Sequence, residues 1–314
     1  MLVGAGQLGS RYLQGFVSAN CHLDITVVDS SLTSLARAKT RWIQAGGENC
    51  QHTIRWVEET PREVEDISVA FIVTSAKARA ELVRQIDSRI GVHFWILEKV
   101  LAQSLDELEI IRRATARSLG VWVNKPFRMM SWHKSLKERF VGRGPLKANY
   151  SGTNWGLACN GIHYIDLVAW FSGESIVSVS TNSLDQQWHE SKRDGYFEVT
   201  GKLQVIFSKG SSLDLESKSE ARKNSFEIEL SDETLWVIDE NAGVARSSTG
   251  HQIGGTLELQ SQLSSRLIDN VILRSQCELP TLEESISTHK VFLEALLLHW
   301  NLSQNRKDVC VPIT

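Results

Sequence analysis

The sequence lacks the features that mark membrane, secreted and metal-binding proteins. No apolar run approaches the ~20 residues that a membrane-spanning helix needs, and no basic segment followed by an apolar run opens the chain. The five cysteines are scattered, form no Cys-x-x-Cys pair and show no Cys/His spacing typical of a metal site. We therefore expect a cytoplasmic protein with reduced thiols, no membrane partner and no metal.

An excess of charge of one sign is also missing. The chain has 34 basic and 37 acidic residues, a formal net charge of −3, and no block of like charge. This balance argues against a general affinity for nucleic acid or for anionic membranes. At 314 residues the chain is long enough for two domains.

What the sequence does contain is a regular alternation of apolar strands and amphipathic helices, from residue 1 to about residue 125. Six strands joined by helical crossovers predict an α/β Rossmann domain with a doubly wound parallel sheet. Residues 126–314 are mainly strand-like, with one helix near Gly161–Phe171 and a closing helix over 281–303. They predict an α+β domain with a mainly antiparallel open sheet, so we place the domain boundary at residue 125.

A glycine-rich turn follows the first predicted strand, with Gly4, Gly6 and Gly9 in the pattern Gly-x-Gly-x-x-Gly. Such a turn brings the backbone N–H groups of a helix N-terminus to a pyrophosphate. Only three residues precede the turn, so either the first strand is short or further residues come before it. The turn residues predicted to contact a dinucleotide are Gly4, Gly6, Gln7, Leu8 and Gly9.

Asp29 ends the second predicted strand, about 20 residues after the glycines, where an acid can accept the hydroxyls of an adenosine ribose. Its carboxylate would repel a 2′-phosphate, and no Arg or Lys follows until Arg37. The sequence therefore predicts NAD rather than NADP.

Two further residues have types suited to proton transfer. Lys99 follows the fifth strand, at the sheet edge where open α/β sheets bind ligands. Beside a positively charged nicotinamide it is suited to proton transfer, although a solvated lysine at a strand end is the alternative. His163 lies on the predicted helix of the second domain, where a buried histidine with a satisfied hydrogen bond is the alternative.

These motifs and their order along the chain resemble those of the Gfo/Idh/MocA oxidoreductases, named for glucose-fructose oxidoreductase and inositol dehydrogenase. The resemblance lies in the glycine turn, Val73-Thr74-Ser75, Glu98-Lys99 and Gly161–Asp166. It implies NAD(P)-dependent oxidation or reduction of a sugar, cyclitol or sugar-nucleotide carbinol, with Lys99 and His163 as the catalytic pair. It also implies a homodimer or homotetramer assembled through the second sheet. The further cofactor contacts that it implies are Thr74, Ser75 and Glu98.

The chain departs from that family at three places, one of which is the segment Ala76-Lys77-Ala78-Arg79, where the usual histidine after the fourth strand is absent. Val100 replaces the usual proline after Glu98-Lys99, and Cys159 stands where many members have an aspartate. Cys159 is therefore open to three interpretations: a substrate contact, a redox-sensitive thiol or a packing residue. The candidate substrate contacts are Lys125, Arg128, Asn154, Trp155, Cys159 and Asn160.

Three functions fit these residues. The first is a dehydrogenase of a sugar-like alcohol, with a place in surface-polysaccharide or sugar-nucleotide metabolism. The second is a glycosidase that uses tightly held NAD without net redox change. The third is a cofactor-binding regulator without activity, since fold alone does not establish function.

Overall fold

The computed structural model describes residues 1–61, 66–221 and 223–314. Contacts in space divide the chain into two compact units. The first comprises Met1–Lys99, Glu107–Pro126 and Glu258–Leu282, and the second comprises Val100–Asp106, Phe127–Leu257 and Glu283–Thr314. This division differs from a single boundary at residue 125, because a helix far along the chain packs against the first helix of the first unit.

The first unit contains, within its described residues, a six-stranded parallel sheet. Its spatial order is β3-β2-β1-β4-β5-β6, so the direction of strand addition reverses between β1 and β4. The predicted doubly wound sheet is confirmed, and ligands of such sheets bind beyond the carboxyl ends of the strands at this reversal. The strands are β1 (Leu2–Val3), β2 (Asp24–Val28), β3 (Thr53–Val57), β4 (Ile67–Ile72), β5 (Val92–Glu98) and β6 (Gly120–Asn124).

Helices cover the faces of this sheet. Because both faces are covered, the central strands are apolar on every side chain rather than on alternate ones, as in Val69–Ile72 of β4 and Phe94–Leu97 of β5. The helices of the described chain are α1 (Gln7–Phe16), α2 (Leu32–Gln44), α3 (Ala76–Asp87), α4 (Leu105–Ala114), α5 (Ser131–Phe140), α6 (Leu157–Ser172), α7 (Gln260–Arg274) and α8 (Leu282–Gln304).

The second unit contains an eight-stranded sheet in its described residues, with the order β14-β13-β12-β11-β7-β10-β9-β8. Neighbouring strands are antiparallel except β7 and β10, which run parallel, so the predicted mainly antiparallel sheet is confirmed. Helix α6 packs on β9 and β10. The strands are β7 (Lys147–Thr153), β8 (Ile176–Glu190), β9 (Phe197–Phe207), β10 (Ser212–Lys218), β11 (Ser225–Glu229), β12 (Leu235–Asp239), β13 (Val244–Ser247) and β14 (Gln252–Gly254).

Candidate functional site

The three glycines of the turn between β1 and α1 differ in the space around them. Gly4 has a φ of +100°, and a Cβ there would lie 2.9 Å from the backbone of Val73. A Cβ on Gly9 would lie 1.9 Å from the carbonyl oxygen of Gly4. A Cβ on Gly6, in contrast, would meet no atom within 4 Å. Gly4 and Gly9 are thus required by the protein itself, whereas the space beside Gly6 is open to a ligand.

The N-terminus of α1 is open as well. Gly6 is its N-cap residue and offers no side-chain hydrogen bond, and the first turn contains no acidic residue. Arg41 of α2 donates to Gln7 Oε1 (2.9 Å) and to Ser10 Oγ (2.5 Å), which adds a positive charge on the same turn. The backbone amides, the helix dipole and this guanidinium together favour an anion here.

Asp29 lies beside this turn, half-exposed at the end of β2. Its Oδ2 accepts a hydrogen bond from the backbone N–H of Ala5 (2.7 Å), and its Oδ1 accepts one from the N–H of Ser31 (2.8 Å). These two bonds fix the carboxylate against the glycine turn. The structure therefore brings together the predicted pyrophosphate site and the predicted ribose acceptor.

The ends of β4, β5 and β6 place the other predicted residues of the first unit. Thr74 and Ser75 follow β4. The carbonyl oxygen of Thr74 accepts a hydrogen bond from Arg79, a buried residue on α3. Arg79 was not among the residues predicted from the sequence. Glu98 pairs in register with Asn124, so Lys99 and Lys125 leave neighbouring strands at the same level. Lys99 is half-buried, whereas Lys125 is only 1% exposed.

Glu98 is a centre of buried hydrogen bonds. Its Oε1 accepts from the hydroxyl of Tyr12 on α1 (2.6 Å) and from Asn124 Nδ2 (2.8 Å), and the same Nδ2 lies 2.9 Å from Gln260 Oε1 on α7. Burial, the largest cause, raises the pKa of Glu98, although both hydrogen bonds act in the opposite direction. These contacts join α1, β5, β6 and α7 through Glu98. The cofactor contact that the family resemblance implies for Glu98 stays a prediction.

In the second unit, the segment before α6 has an unusual backbone. Asn154 has a φ of +41° and Gly156 a φ of +79°. The side chain of Glu198 on β9 caps the helix that follows, since its oxygens accept from the N–H of Ala158 (2.9 Å) and of Cys159 (3.1 Å). The carboxylate already occupies the N-terminal amides that would otherwise attract a ligand anion.

The predicted substrate contacts of this segment hydrogen-bond within the second unit. Trp155 Nε1 donates to the carbonyl of Glu216 (2.9 Å), and Asn160 Nδ2 donates to the carbonyl of Trp155 (2.8 Å). The thiol of Cys159 contacts the main-chain oxygen of Thr314. These bonds hold the segment in place, and for Cys159 they favour packing among the three interpretations.

His163 lies on α6, half-buried, with its ring centroid 5.4 Å from that of Phe127.

The next residue after Phe127 is Arg128, a predicted substrate contact. Its guanidinium binds both oxygens of Asp166 (2.8 and 2.9 Å) and reaches Glu284 Oε1 (2.9 Å). Asp166 is 1% exposed, so this pair is a buried, bidentate ion pair. Arg128 is thus held by two carboxylates, and its contact with a substrate stays a prediction.

Two further properties can be read from the described residues. They contain no cluster of three His, Cys, Asp or Glu side chains arranged to hold a metal ion. Nor does any helix over 1–61, 66–221 or 223–314 combine the length and the apolarity needed to cross a membrane.

No protein-family model matches this chain, and no curated protein matches it. Solved structures do. An oxidoreductase from Agrobacterium radiobacter, in complex with NAD+, L-tartaric acid and magnesium, has a TM-score of 0.73 at 12% identity over 95% of both chains. Scyllo-inositol dehydrogenase from Lactobacillus casei, with NAD(H) and scyllo-inositol, has a TM-score of 0.67 at 16% identity over 97% of this chain and 96% of that one.

A levoglucosan dehydrogenase in complex with NADH has a TM-score of 0.70 at 13% identity over 96% of both chains. At these identities the likeness establishes the fold, which this chain shares with two-domain dehydrogenases along nearly its whole length.

Proposed function

We propose that this protein is an NAD-dependent oxidoreductase that acts on a carbinol of a sugar, cyclitol or sugar nucleotide. The observation that supports it most is the open space beside Gly6, where an added Cβ meets nothing within 4 Å although Gly4 and Gly9 are tightly enclosed. A turn with that pattern at an uncapped helix N-terminus fits a pyrophosphate.

Asp29 supports NAD over NADP. Its carboxylate is fixed beside the turn by the N–H groups of Ala5 and Ser31 and is half-exposed, so it can accept the ribose hydroxyls. It would repel a 2′-phosphate. Arg41 favours NADP instead, because its positively charged guanidinium lies on the first turn of α1. Its side-chain hydrogen bonds to Gln7 and Ser10 hold it there.

The bound nicotinamide would supply or accept the hydride. Of this chain's own residues, His163 would take or return the proton of the substrate hydroxyl, and Lys99 would hydrogen-bond the reacting oxygen and stabilise its developing charge. Both roles come from the resemblance to Gfo/Idh/MocA enzymes. The other proposed contacts are Thr74, Ser75 and Glu98 with the cofactor, and Lys125, Arg128, Asn154, Trp155, Cys159 and Asn160 with the substrate. A homodimer or homotetramer through the second sheet is also part of the proposal.

The solved structures of this fold agree with such a substrate class. Scyllo-inositol and L-tartaric acid are bound in two of them, and a third acts on levoglucosan by its name. All three ligands carry hydroxyl groups on adjacent carbons. We therefore place the substrate of this chain among polyhydroxylated compounds.

The test is calorimetric titration of NAD, NADH, NADP and NADPH into the parent protein and Asp29→Ala. We expect tight NAD(H) binding by the parent and at least a roughly tenfold loss in the variant, which corresponds to about 1.4 kcal/mol. Asp24→Ala is the matched control, because Asp24 is an exposed carboxylate at the other end of the same strand. Absence of binding by all four nucleotides would refute the proposal.

Activity separates the enzymatic alternatives. With NAD and a panel of polyols and sugar nucleotides, a dehydrogenase accumulates NADH, and Lys99→Ala and His163→Ala abolish this accumulation. Cleavage of a glycoside without added NAD and without NADH would indicate the redox-neutral glycosidase. NAD binding with no turnover of any compound would indicate the regulator.

A further inference from the structure

Arg79 is a cation at a position that is unfavourable for a cation in two ways. It is the fourth residue of α3, so it stands in the first turn of the helix, where the macrodipole disfavours positive charge. The residue is also only 1% exposed, and a charged group in such surroundings needs polar partners. The contacts of its guanidinium show what offsets both effects.

The guanidinium of Arg79 reaches back to the turn between β4 and α3. Its Nη2 donates to the carbonyl oxygen of Thr74, two residues before the helix begins. Its charge also acts on Tyr12 and Glu98. Burial is the largest cause that raises the pKa of each of these two groups, and the charge of Arg79 lowers both. Glu98 thus balances part of the charge of Arg79, while the hydrogen bond to Thr74 ties the turn to its own helix.

The turn that Arg79 holds lies directly against the glycine turn. A Cβ on Gly4 would lie 2.9 Å from the backbone of Val73 and 3.1 Å from the backbone nitrogen of Thr74. The N–H of Val73 donates to the carbonyl of Val3 (2.8 Å), which continues the pairing of β1 and β4 up to the turn. Because the strand order reverses between β1 and β4, these two turns border the crevice in which such sheets bind ligands.

Ser75 is the N-cap residue of α3, but its hydroxyl does not cap the helix. Serine is favoured at an N-cap because its oxygen accepts a hydrogen bond from an amide of the first turn. That bond is absent here, and the hydroxyl makes no other hydrogen bond to residues 1–61, 66–221 or 223–314. Ser75 is half-exposed, so its hydroxyl is available to a ligand.

We propose that Arg79 is a positioning residue for the dinucleotide, an inference that rests on the proposed function. By holding the carbonyl of Thr74, Arg79 fixes the turn between β4 and α3 in place of the missing serine cap. The hydroxyl of Ser75 therefore stays free to hydrogen-bond the cofactor. Arg79 is buried and acts only through the turn. Lysine replaces it in part, because an ammonium on a flexible stem lacks the fixed directions of the guanidinium N–H groups.

A double-mutant cycle on NAD affinity, measured by calorimetric titration, tests the proposal. Ser75→Ala should lower the affinity roughly sixfold in the parent, as expected for one hydrogen bond, but less than about twofold in Arg79→Met. Arg79→Lys keeps the charge, so it serves as the background if Arg79→Met folds poorly, and there the loss should be about threefold. The matched control combines Arg79→Met with Asp29→Ala. These two losses should be additive, because β1 separates β2 from β4.

Hydrogen exchange without nucleotide gives a second measurement. Arg79→Met should speed the exchange of amides within 73–80 at least about tenfold. The amide of Asp29, which donates to the carbonyl of Val57, should change less than about twofold. Unchanged exchange within 73–80 would overturn the proposal, and so would an equal loss of affinity on Ser75→Ala in all three backgrounds. Absence of NAD(H) binding by the parent would instead refute the proposed function, and this inference with it.

Discussion

Two helix N-termini, one in each unit, differ in how their backbone amides are used. Helix α1 begins after Gly6 with no side-chain cap and no acid in its first turn. Helix α6 begins after Gly156, and the carboxylate of Glu198 accepts from two of its first amides. Both starts depend on glycine near the cap, but one is open and the other is closed by the protein.

Under the proposed function, this difference favours the first unit as the one that receives the anionic part of the cofactor. An open helix N-terminus is a ready site for phosphate, whereas a capped one has already satisfied its donors with a carboxylate. The residues before α6 fit this reading, because Trp155 and Asn160 hydrogen-bond to backbone carbonyls of their own unit. A glycine before a helix is therefore insufficient evidence for a phosphate site. The N-terminal amides must also be free of a side-chain cap.

Gly9→Ala, in the turn before the open helix α1, should have the largest effect on stability. The new Cβ would lie 1.9 Å from the carbonyl oxygen of Gly4, and neither backbone can move without breaking the turn. We expect a loss of about 3 kcal/mol or more in the free energy of unfolding, measured with urea. Gly6→Ala is the control with the same added methyl group. Equal stability of the two variants would contradict the steric argument.

Glu198→Ala tests the closed helix by opening it. It leaves the amides of Ala158 and Cys159 without their acceptor, so we expect a loss of about 2 kcal/mol in the free energy of unfolding. Glu198→Gln keeps one carbonyl oxygen and should lie between parent and Ala variant. If the comparison is right, sulfate will also stabilise the Ala variant more than the parent, because α6 then resembles α1. An Ala variant as stable as the parent would refute the cap.

Gly6→Ala tests the open helix without disturbing the fold. Because its Cβ meets no protein atom within 4 Å, the stability should stay within about 0.5 kcal/mol of the parent. A bound pyrophosphate would meet the methyl group, so NAD affinity should fall at least roughly tenfold, about 1.4 kcal/mol, by calorimetry. Unchanged affinity would mean that the dinucleotide does not approach this turn.

The open side of the comparison was readable from the sequence, because its signals are local. Gly4, Gly6, Gly9 and Asp29 stand at the spacing expected of a dinucleotide-binding turn, and the structure brings them together. Hydrophobic periodicity predicts both sheets for a similar reason, because it indicates which faces of a strand or helix are buried.

The cap that closes the N-terminus of α6 could not be predicted from the sequence in this way. Glu198 caps α6 from a strand some forty residues away, and nothing near either residue marks the pair. Nor does the sequence reveal that Asp166 and Glu284 converge on Arg128, a predicted substrate contact. Likewise, α5 and α7 were not predicted as helices, and α7 joins the first unit through packing on α1. Partners that are distant in sequence are set by the tertiary structure.

Glu98 is the counterpart of Glu198 in the first unit, since it also accepts two hydrogen bonds, here from Tyr12 and Asn124. Burial raises its pKa above that of the unfolded chain. Between those two pKa values the folded state holds the extra proton, so stability contributed by Glu98 is present at low pH and decreases as the pH rises through the window.

Glu98→Gln should remove this dependence while keeping an acceptor oxygen for Tyr12 and Asn124. We therefore expect the parent-minus-variant difference in unfolding free energy, measured with urea from pH 4 upward, to decline with pH by at most about 1.4 kcal/mol per pH unit. Tyr12→Phe is the control: the Tyr12 hydrogen bond lowers the pKa of Glu98, so its loss should extend the decline to higher pH. A difference independent of pH would show that burial does not govern the protonation of this carboxyl.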